Sequence, residues 1–102
     1  MTTPKNVSDL ISFQNGSVVS KEILNKPSGT ITLFAFDQNQ GLSEHTAPFD
    51  AVVLAIEGSA EITVSGTKHQ LKIGEMLLMP SGSPHSIKAL TPFKMLLTMI
   101  KS

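Results

Sequence analysis

The chain has 102 residues, of which 40% are hydrophobic and 16% charged, a composition typical of one globular domain. Eight basic residues balance eight acidic ones and do not cluster, which argues against a nucleic-acid or anionic membrane partner. The absence of cysteine excludes disulfides and thiolate metal sites. No segment has the apolar length of a signal peptide or a membrane span, so we expect a cytoplasmic protein.

The first part of the chain, residues 1–16, is predicted to form an arm or a short helix. Val7, Leu10 and Ile11 recur with helical spacing, and Ser8 or Asp9 could cap a turn. The rest of the chain, residues 17–102, is predicted to be a single β-domain.

After the arm, the sequence consists of short β-like runs separated by Gly, Pro and Asn turns. Turn signals recur about every eight to twelve residues, and no long helical pattern interrupts them. This pattern is typical of an all-β sandwich or barrel. The eight predicted strands are Ser17–Leu24, Thr30–Asp37, Ala51–Glu57, Ala60–Val64, Lys68–Ile73, Glu75–Met79, His85–Leu90 and Phe93–Ile100.

The last predicted strand is apolar on both faces. Alternation puts Phe93 and Met95 on one face and Leu96 and Ile100 on the other, and the segment Ala51–Ile56 is similarly two-sided. In a small monomer one face of such a strand normally meets water, so the second apolar face predicts a homodimer interface. A strand fully enclosed within the monomer is the alternative.

The most informative segment is GEMLLMPSGSPH, residues 74–85, in which Gly74, Pro80, Gly82 and His85 have the order Gly-x5-Pro-x-Gly-x2-His. The first glycine opens an apolar run, and Pro80 ends the hydrogen bonding of that run. A second turn then leads into another strand at His85. This arrangement would bring a histidine into a barrel at a fixed height.

The segment resembles the second motif of the cupins, which are small jelly-roll barrels. Upstream, the stretch from His45 to Gly58 resembles their first motif, Gly-x5-His-x-His-x3–4-Glu-x6-Gly, and the 15 residues between Gly58 and Gly74 fit the usual separation. The likeness is strongest to single-domain cupins with the motif His-Ser/Thr-x-Pro-x-Asp-Ala, most of which have no assigned activity. It implies a double-stranded β-helix, the jelly-roll or cupin barrel, behind a short N-terminal arm or helix.

The positions of the cupin metal ligands are only partly matched. Metal-holding cupins use two histidines and a glutamate from the first motif and a histidine from the second. His45 and His85 match the first and last of these positions, whereas Ala47 and Ala51 occupy the other two. Asn39 stands where the motif opens with glycine, and Asn enters the left-handed region more readily than most residues.

Two imidazoles alone would hold a metal weakly, because zinc normally takes three or four protein ligands and Fe(II) oxygenases use two histidines and a carboxylate. Gln40 and Asp50 are the candidates for a third ligand. Asp50 would need a bulge to turn inward, and alternatively it caps the turn after Pro48. The resemblance therefore implies, at most, a weakly held Zn, Ni, Fe or Mn ion. His69 matches no motif position and is predicted to be exposed.

Two functions compete on these observations. The first is binding of a small, mostly apolar ligand in the barrel near His45 and His85, with Asp50, Ala47 and Ala51 beside them. The alternative is a metal-dependent enzyme of oxygenase or isomerase type with an incomplete metal set. A structural or sensory partner of another protein has least support. The residues alone do not decide whether the chain is an enzyme.

Overall fold

A computed structural model describes residues 2–101 of the chain. One short 3₁₀ helix, Val7–Leu10, precedes nine strands in these residues. Of the eight predicted strands, Phe93–Ile100 is present with the predicted bounds and the other seven with one or both ends shifted, and the strand absent from the prediction is Gly41–His45. The strands are β1 (Val18–Lys26), β2 (Gly29–Phe36), β3 (Gly41–His45), β4 (Asp50–Glu57), β5 (Ser59–Val64), β6 (Thr67–Lys72), β7 (Met76–Met79), β8 (His85–Ala89) and β9 (Phe93–Ile100).

The strands form two antiparallel sheets. Sheet A has the order β1-β2-β9-β4-β7, and sheet B has the order β3-β8-β5-β6. From β2 onward, every connection except the β5–β6 hairpin passes from one sheet to the other. This is the topology of a jelly roll, and it confirms the predicted all-β, double-stranded β-helix fold.

The main hydrophobic core lies between the two sheets. Sheet A contributes Phe36, Phe93 and Met95, and sheet B contributes Ile62 and Ile87. The Phe36 and Phe93 rings lie 5.8 Å apart between centroids. Burying a side chain of this size stabilises a fold by about 1.5–3 kcal/mol, so this layer is the main source of stability.

A second, smaller cluster lies on the outer face of sheet A. Ile11 of the N-terminal arm is buried there against Leu33 and Ala35 of β2, and Leu10 and Leu96 pack around it. The arm therefore covers part of the apolar face for which the sequence predicted a homodimer interface. That part of the face is buried by the chain itself.

The 3₁₀ helix in the arm is capped by Asn6, whose Oδ1 accepts a hydrogen bond of 3.1 Å from the Ser8 amide. The prediction that Ser8 or Asp9 caps this turn was wrong, because both residues lie within the helix.

Among residues 2–101, no helix is both long and apolar enough to cross a membrane.

Ser8 has a different role, because it fixes the arm to a buried lysine. The Lys94 amine donates to the Ser8 carbonyl at 2.7 Å and lies 3.6 Å from Glu57 Oε1. The Ser8 hydroxyl donates to the same Glu57 oxygen at 2.6 Å. The ring of Phe13 lies 4.9 Å from the amine, so the lysine is enclosed by groups that favour its charge.

Candidate functional site

The predicted site histidines come from neighbouring strands of sheet B. His45 ends β3 and His85 begins β8, and they lie opposite each other in the antiparallel register. Their ring centroids are 4.2 Å apart and their planes cross at 67°. The structure therefore brings together the two histidines that the motifs singled out.

A β-bulge turns His45 toward the barrel interior. The register of β3 shifts by one residue between Leu42 and His45, while the opposing residues are Ile87 and His85. Without the bulge, alternation would put Leu42 and His45 on opposite faces, because they are three positions apart. The extra residue restores the same face, so His45 joins Leu42 and His85 on the core side.

The turn before β8 has the conformation that its glycine predicts. The Ser83 amide donates to the Pro80 carbonyl at 3.1 Å, and Gly82 has a φ of +78°. A positive φ at the third position of such a four-residue turn identifies type II, for which glycine is favoured. Similarly, Asn39 has a φ of +68°, which confirms that it can replace the opening glycine of the first motif.

Both imidazole rings are held in the same way by backbone carbonyls. His45 Nδ1 lies 2.9 Å from the Ser43 oxygen, and His85 Nδ1 lies 3.1 Å from the Ser83 oxygen. We assign the ring proton of each neutral imidazole to Nδ1, because a carbonyl oxygen only accepts hydrogen bonds. Each Nε2 then keeps a lone pair, which can accept a hydrogen bond or coordinate a metal.

On β9 the core-facing side becomes more exposed along the strand, whereas Ala51 and Met79, in register with Met99, are buried. Along the core-facing side of β9, Met95 is fully buried, whereas Leu97 and Met99 are half-buried. His85 is 7% exposed and His45 is exposed. Because a short turn, residues 90–92, joins the end of β8 to the start of β9, the start of β8 with His85 lies at the same end of the barrel as Leu97 and Met99. We call this end, where His45 lies beside His85, the mouth of the barrel.

Of the other residues predicted at the site, Ala51 faces the core, Ala47 lies in a loop and Asp50 lies on the opposite face of sheet A. Ala51 is buried on the core-facing side of β4, and Ala47 is half-buried in the loop after β3. Asp50 pairs with Ile100, on the opposite face of sheet A from Ala51. The carboxylate of Asp50 accepts a hydrogen bond of 2.8 Å from the Ser81 amide. Asp50 is thus a turn cap, although it caps the turn before β8 and not the one after Pro48.

The structure does not bring Gln40 to the histidine pair. Its carbonyl accepts from the Ala89 amide at 2.8 Å, and Ala89 lies four residues, about 13 Å, along β8 from His85.

Residues 2–101 contain no group of three or more His, Cys, Asp or Glu side chains that could hold a metal ion. His69 on β6 is exposed, as predicted.

Sequence reasoning missed the groups that orient the rings. These are the carbonyls of Ser43 and Ser83, each two residues before its histidine. Every residue has a backbone carbonyl, so side-chain identity carries no signal for this contact. The bulge in β3 and the turn before β8 are needed to place the carbonyl beside the ring.

A groove of about 190 Å³ lies away from the histidines. It is lined by Leu24, Ile31 and Ile100, among others. Ile31 is two residues from Leu33 along β2, so the groove opens on the outer face of sheet A, beyond the part covered by the arm. It is a separate feature from the mouth.

Comparison with known families identifies the fold. A model of the cupin domain matches residues 32–100, which include both motifs. The chain is a cupin. The match supports the family but not the motif subgroup, so membership of the His-Ser/Thr-x-Pro-x-Asp-Ala cupins stays a prediction.

Solved structures of other cupin-like chains are similar over the whole length. A conserved protein of unknown function from Streptococcus pyogenes is 27% identical, with a TM-score of 0.95, and the match covers 100% of this chain and 90% of that one. A cupin superfamily protein from Desulfitobacterium hafniense is 26% identical, also with a TM-score of 0.95, and covers 100% and 94%.

An uncharacterized protein from Aquifex aeolicus is 24% identical over 97 residues, which cover 93% of this chain and 80% of that protein. None of these three descriptions assigns an activity. The function must therefore be argued from the histidine pair and its surroundings.

Proposed function

We propose that this cupin binds a small, mostly apolar molecule that carries a hydrogen-bond donor, and that it does so in the mouth of the barrel. The observation that carries the proposal is the state of the two rings. Both Nδ1 atoms lie against backbone carbonyls, so in the neutral form of each ring Nε2 is the nitrogen that can accept a hydrogen bond from a ligand.

The β9 side chains at the same end of the barrel suit such a ligand. Leu97 and Met99 face the interior and are half-buried, so they offer apolar surface that is still accessible. Pockets for small molecules commonly combine apolar walls with a few polar groups that fix orientation. Here the polar groups are two acceptors, which would select a hydroxyl or N–H group on the ligand.

The test uses phenol and toluene, two probes of similar shape of which only phenol has a donor. Binding is followed by long-range ¹H–¹⁵N spectra of the histidine rings. Phenol should shift the Nε2 signals of His45 and His85 and bind more tightly than toluene, and His45→Ala should abolish this preference.

His69→Ala is the matched control, because His69 is an exposed histidine on another strand. It should leave the preference for phenol unchanged. If phenol and toluene bind equally, or if both perturb only Ile31 and Ile100 in the outer groove, the proposal is wrong.

A weak divalent metal site, as in a metal-dependent cupin enzyme, is the second candidate. The favourable observation is that Nδ1–H bonds to backbone carbonyls also orient histidines that ligate metals. The described residues fit a metal only in part, because His45 and His85 supply two donors and Asp50 is engaged by Ser81. A third donor would have to come from water or a substrate.

Titration with Zn²⁺, Ni²⁺, Fe²⁺ or Mn²⁺ distinguishes the two candidates. If calorimetry gives one ion per chain, even a weakly held one, and His45→Ala and His85→Ala each abolish its binding, the metal site is favoured. Ion binding that both variants retain, or that a chelator removes without changing phenol affinity, favours the metal-free binding protein.

We also propose a homodimer through the part of sheet A that the arm leaves open. Four large apolar side chains there, Leu24, Met76, Leu78 and Ile100, are 47–66% exposed. A patch of this kind is unusual on a monomer and typical of an interface. Light scattering during size-exclusion chromatography should give twice the chain mass, and Leu78→Lys should give the monomer mass.

A further inference from the structure

Two segments that join sheets A and B meet beside the histidine pair. One is the loop of residues 46–49, which follows His45, and the other is the Pro80–Pro84 turn, which precedes His85. One hydrogen bond of 2.8 Å, from the Gly82 amide to the Ala47 carbonyl, connects them directly. A second, also of 2.8 Å, is donated by the Ser81 amide to Oδ1 of Asp50, the first residue of β4, which directly follows the loop.

The ladder between β3 and β8 is poorly suited to hold the pair by itself. β3 is an edge strand of five residues, and its register is interrupted immediately before His45. His45 and His85 are also the last paired residues of this ladder, and the ends of ladders open most easily. The contact between the rings therefore depends on the hydrogen bonds that hold the turn before His85 close to the chain that follows His45.

We propose that Asp50 is a positioning residue for the histidine pair. Its carboxylate holds the turn before His85 against the start of β4, directly after the loop that follows His45, and so fixes the 4.2 Å separation of the rings. The importance of this separation for ligand binding rests on the function proposed above. The other connection, from Gly82 to Ala47, is between backbone atoms, so Asp50 is the side chain that a substitution can remove.

The carboxylate is well suited to this role. A hydrogen bond from an amide to a charged acceptor is stronger than one to a neutral acceptor. Asp50 is exposed, so its replacement removes the contact without leaving a cavity in the core. Replacing Asp50 should consequently change the position of the rings but have little effect on the free energy of unfolding.

Three variants test the proposal. Asp50→Ala removes the acceptor, whereas Asp50→Asn keeps an oxygen in its place. Ser81→Pro removes the amide donor but leaves the carboxylate, at a turn position that favours proline. The first readout is the nuclear Overhauser effect between the rings of His45 and His85 in the protein without ligand.

Asp50→Ala and Ser81→Pro should both lose the ring–ring signal, whereas Asp50→Asn should retain it. Phenol affinity should fall about tenfold in the first two variants and change little in the third. The amide signals of β5 and β9 should stay in place in all three, which shows that the barrel is intact.

The results separate the two proposals. If wild-type protein binds no phenol but Asp50→Ala still loses the ring–ring signal, the positioning role holds and the proposed function fails. If Asp50→Ala and Ser81→Pro keep the ring–ring signal, the positioning role is overturned. If Asp50→Asn and Asp50→Ala lose Ni²⁺ binding equally while Ser81→Pro retains it, Asp50 is a metal ligand and the proposal is also overturned.

Discussion

The two ends of the barrel interior are built from the same strands but have different properties. At one end, Phe36, Phe93 and Met95 are fully buried. At the other end, where the histidine pair lies, the same core-facing side of β9 continues as half-buried residues. The first end has the packing that stabilises the fold, and the second has polar groups that solvent can reach. Stability and the candidate site are thus separated along the strands.

The largest expected effect on the free energy of unfolding comes from a substitution at the packed end. Phe93→Ala should lower the free energy of unfolding by about 3–5 kcal/mol, because it removes a fully buried ring and leaves a cavity. Urea denaturation measures this. Met99→Ala at the mouth is the matched control and should cost less than half as much. Equal losses would mean that the two ends are packed alike.

A smaller effect is expected at the turn that delivers His85. Gly82→Val should cost about 2 kcal/mol, because the φ of +78° strains an L-residue and a β-branched one most of all. No atom outside the turn lies near the added Cβ, so strain is the only cause. Gly82→Asn should cost clearly less in the same thermal melts. If the two melt alike, backbone strain is not the reason.

The smallest effect on stability is expected at the site. His85→Ala should lower the free energy of unfolding by about 1 kcal/mol or less, since it removes one hydrogen bond at the partly open end. The same variant should abolish selective phenol binding. A stability loss equal to that of Gly82→Val would show that either the turn or the mouth has been misplaced.

The sequence predicted the fold well because most strands carry a strong pattern. Eight strands were recognised from apolar runs between Gly, Pro and Asn turns. The missed strand, β3, has the sequence GLSEH, in which Leu42 is the only apolar residue. Its bulge also breaks the alternation by which strands are recognised. The strand that carries His45 was therefore the hardest to predict.

The site was predicted in part, for a similar reason. His45 and His85 were identified by their motif positions. The positions of Asp50 and Gln40 relative to the pair were left open, because the direction of a side chain depends on register, which propensity does not determine. Asp50 lies on the outer side of β4, and Gln40 lies opposite Ala89, far from the pair.

The second apolar face of sheet A was recognised, but its covering by the N-terminal arm was not predicted. The sequence indicated a second copy of the chain, whereas the arm covers Leu33 and Ala35 from the same chain. A short arm leaves little trace in a pattern of strands. Its contacts depend on Ser8 and Lys94, which are 86 positions apart in the chain.

The pairing of His45 with His85 also has a consequence for folding. Forty residues of chain separate the two rings, and β2 pairs with β9 over a still longer separation. Contacts between distant residues form slowly, because the entropy of closing long loops must be overcome before the contacts stabilise anything. We therefore expect the two imidazoles to meet only after the long loop between them has closed. Recovery of the ring–ring signal during refolding would report the pairing of β3 with β8.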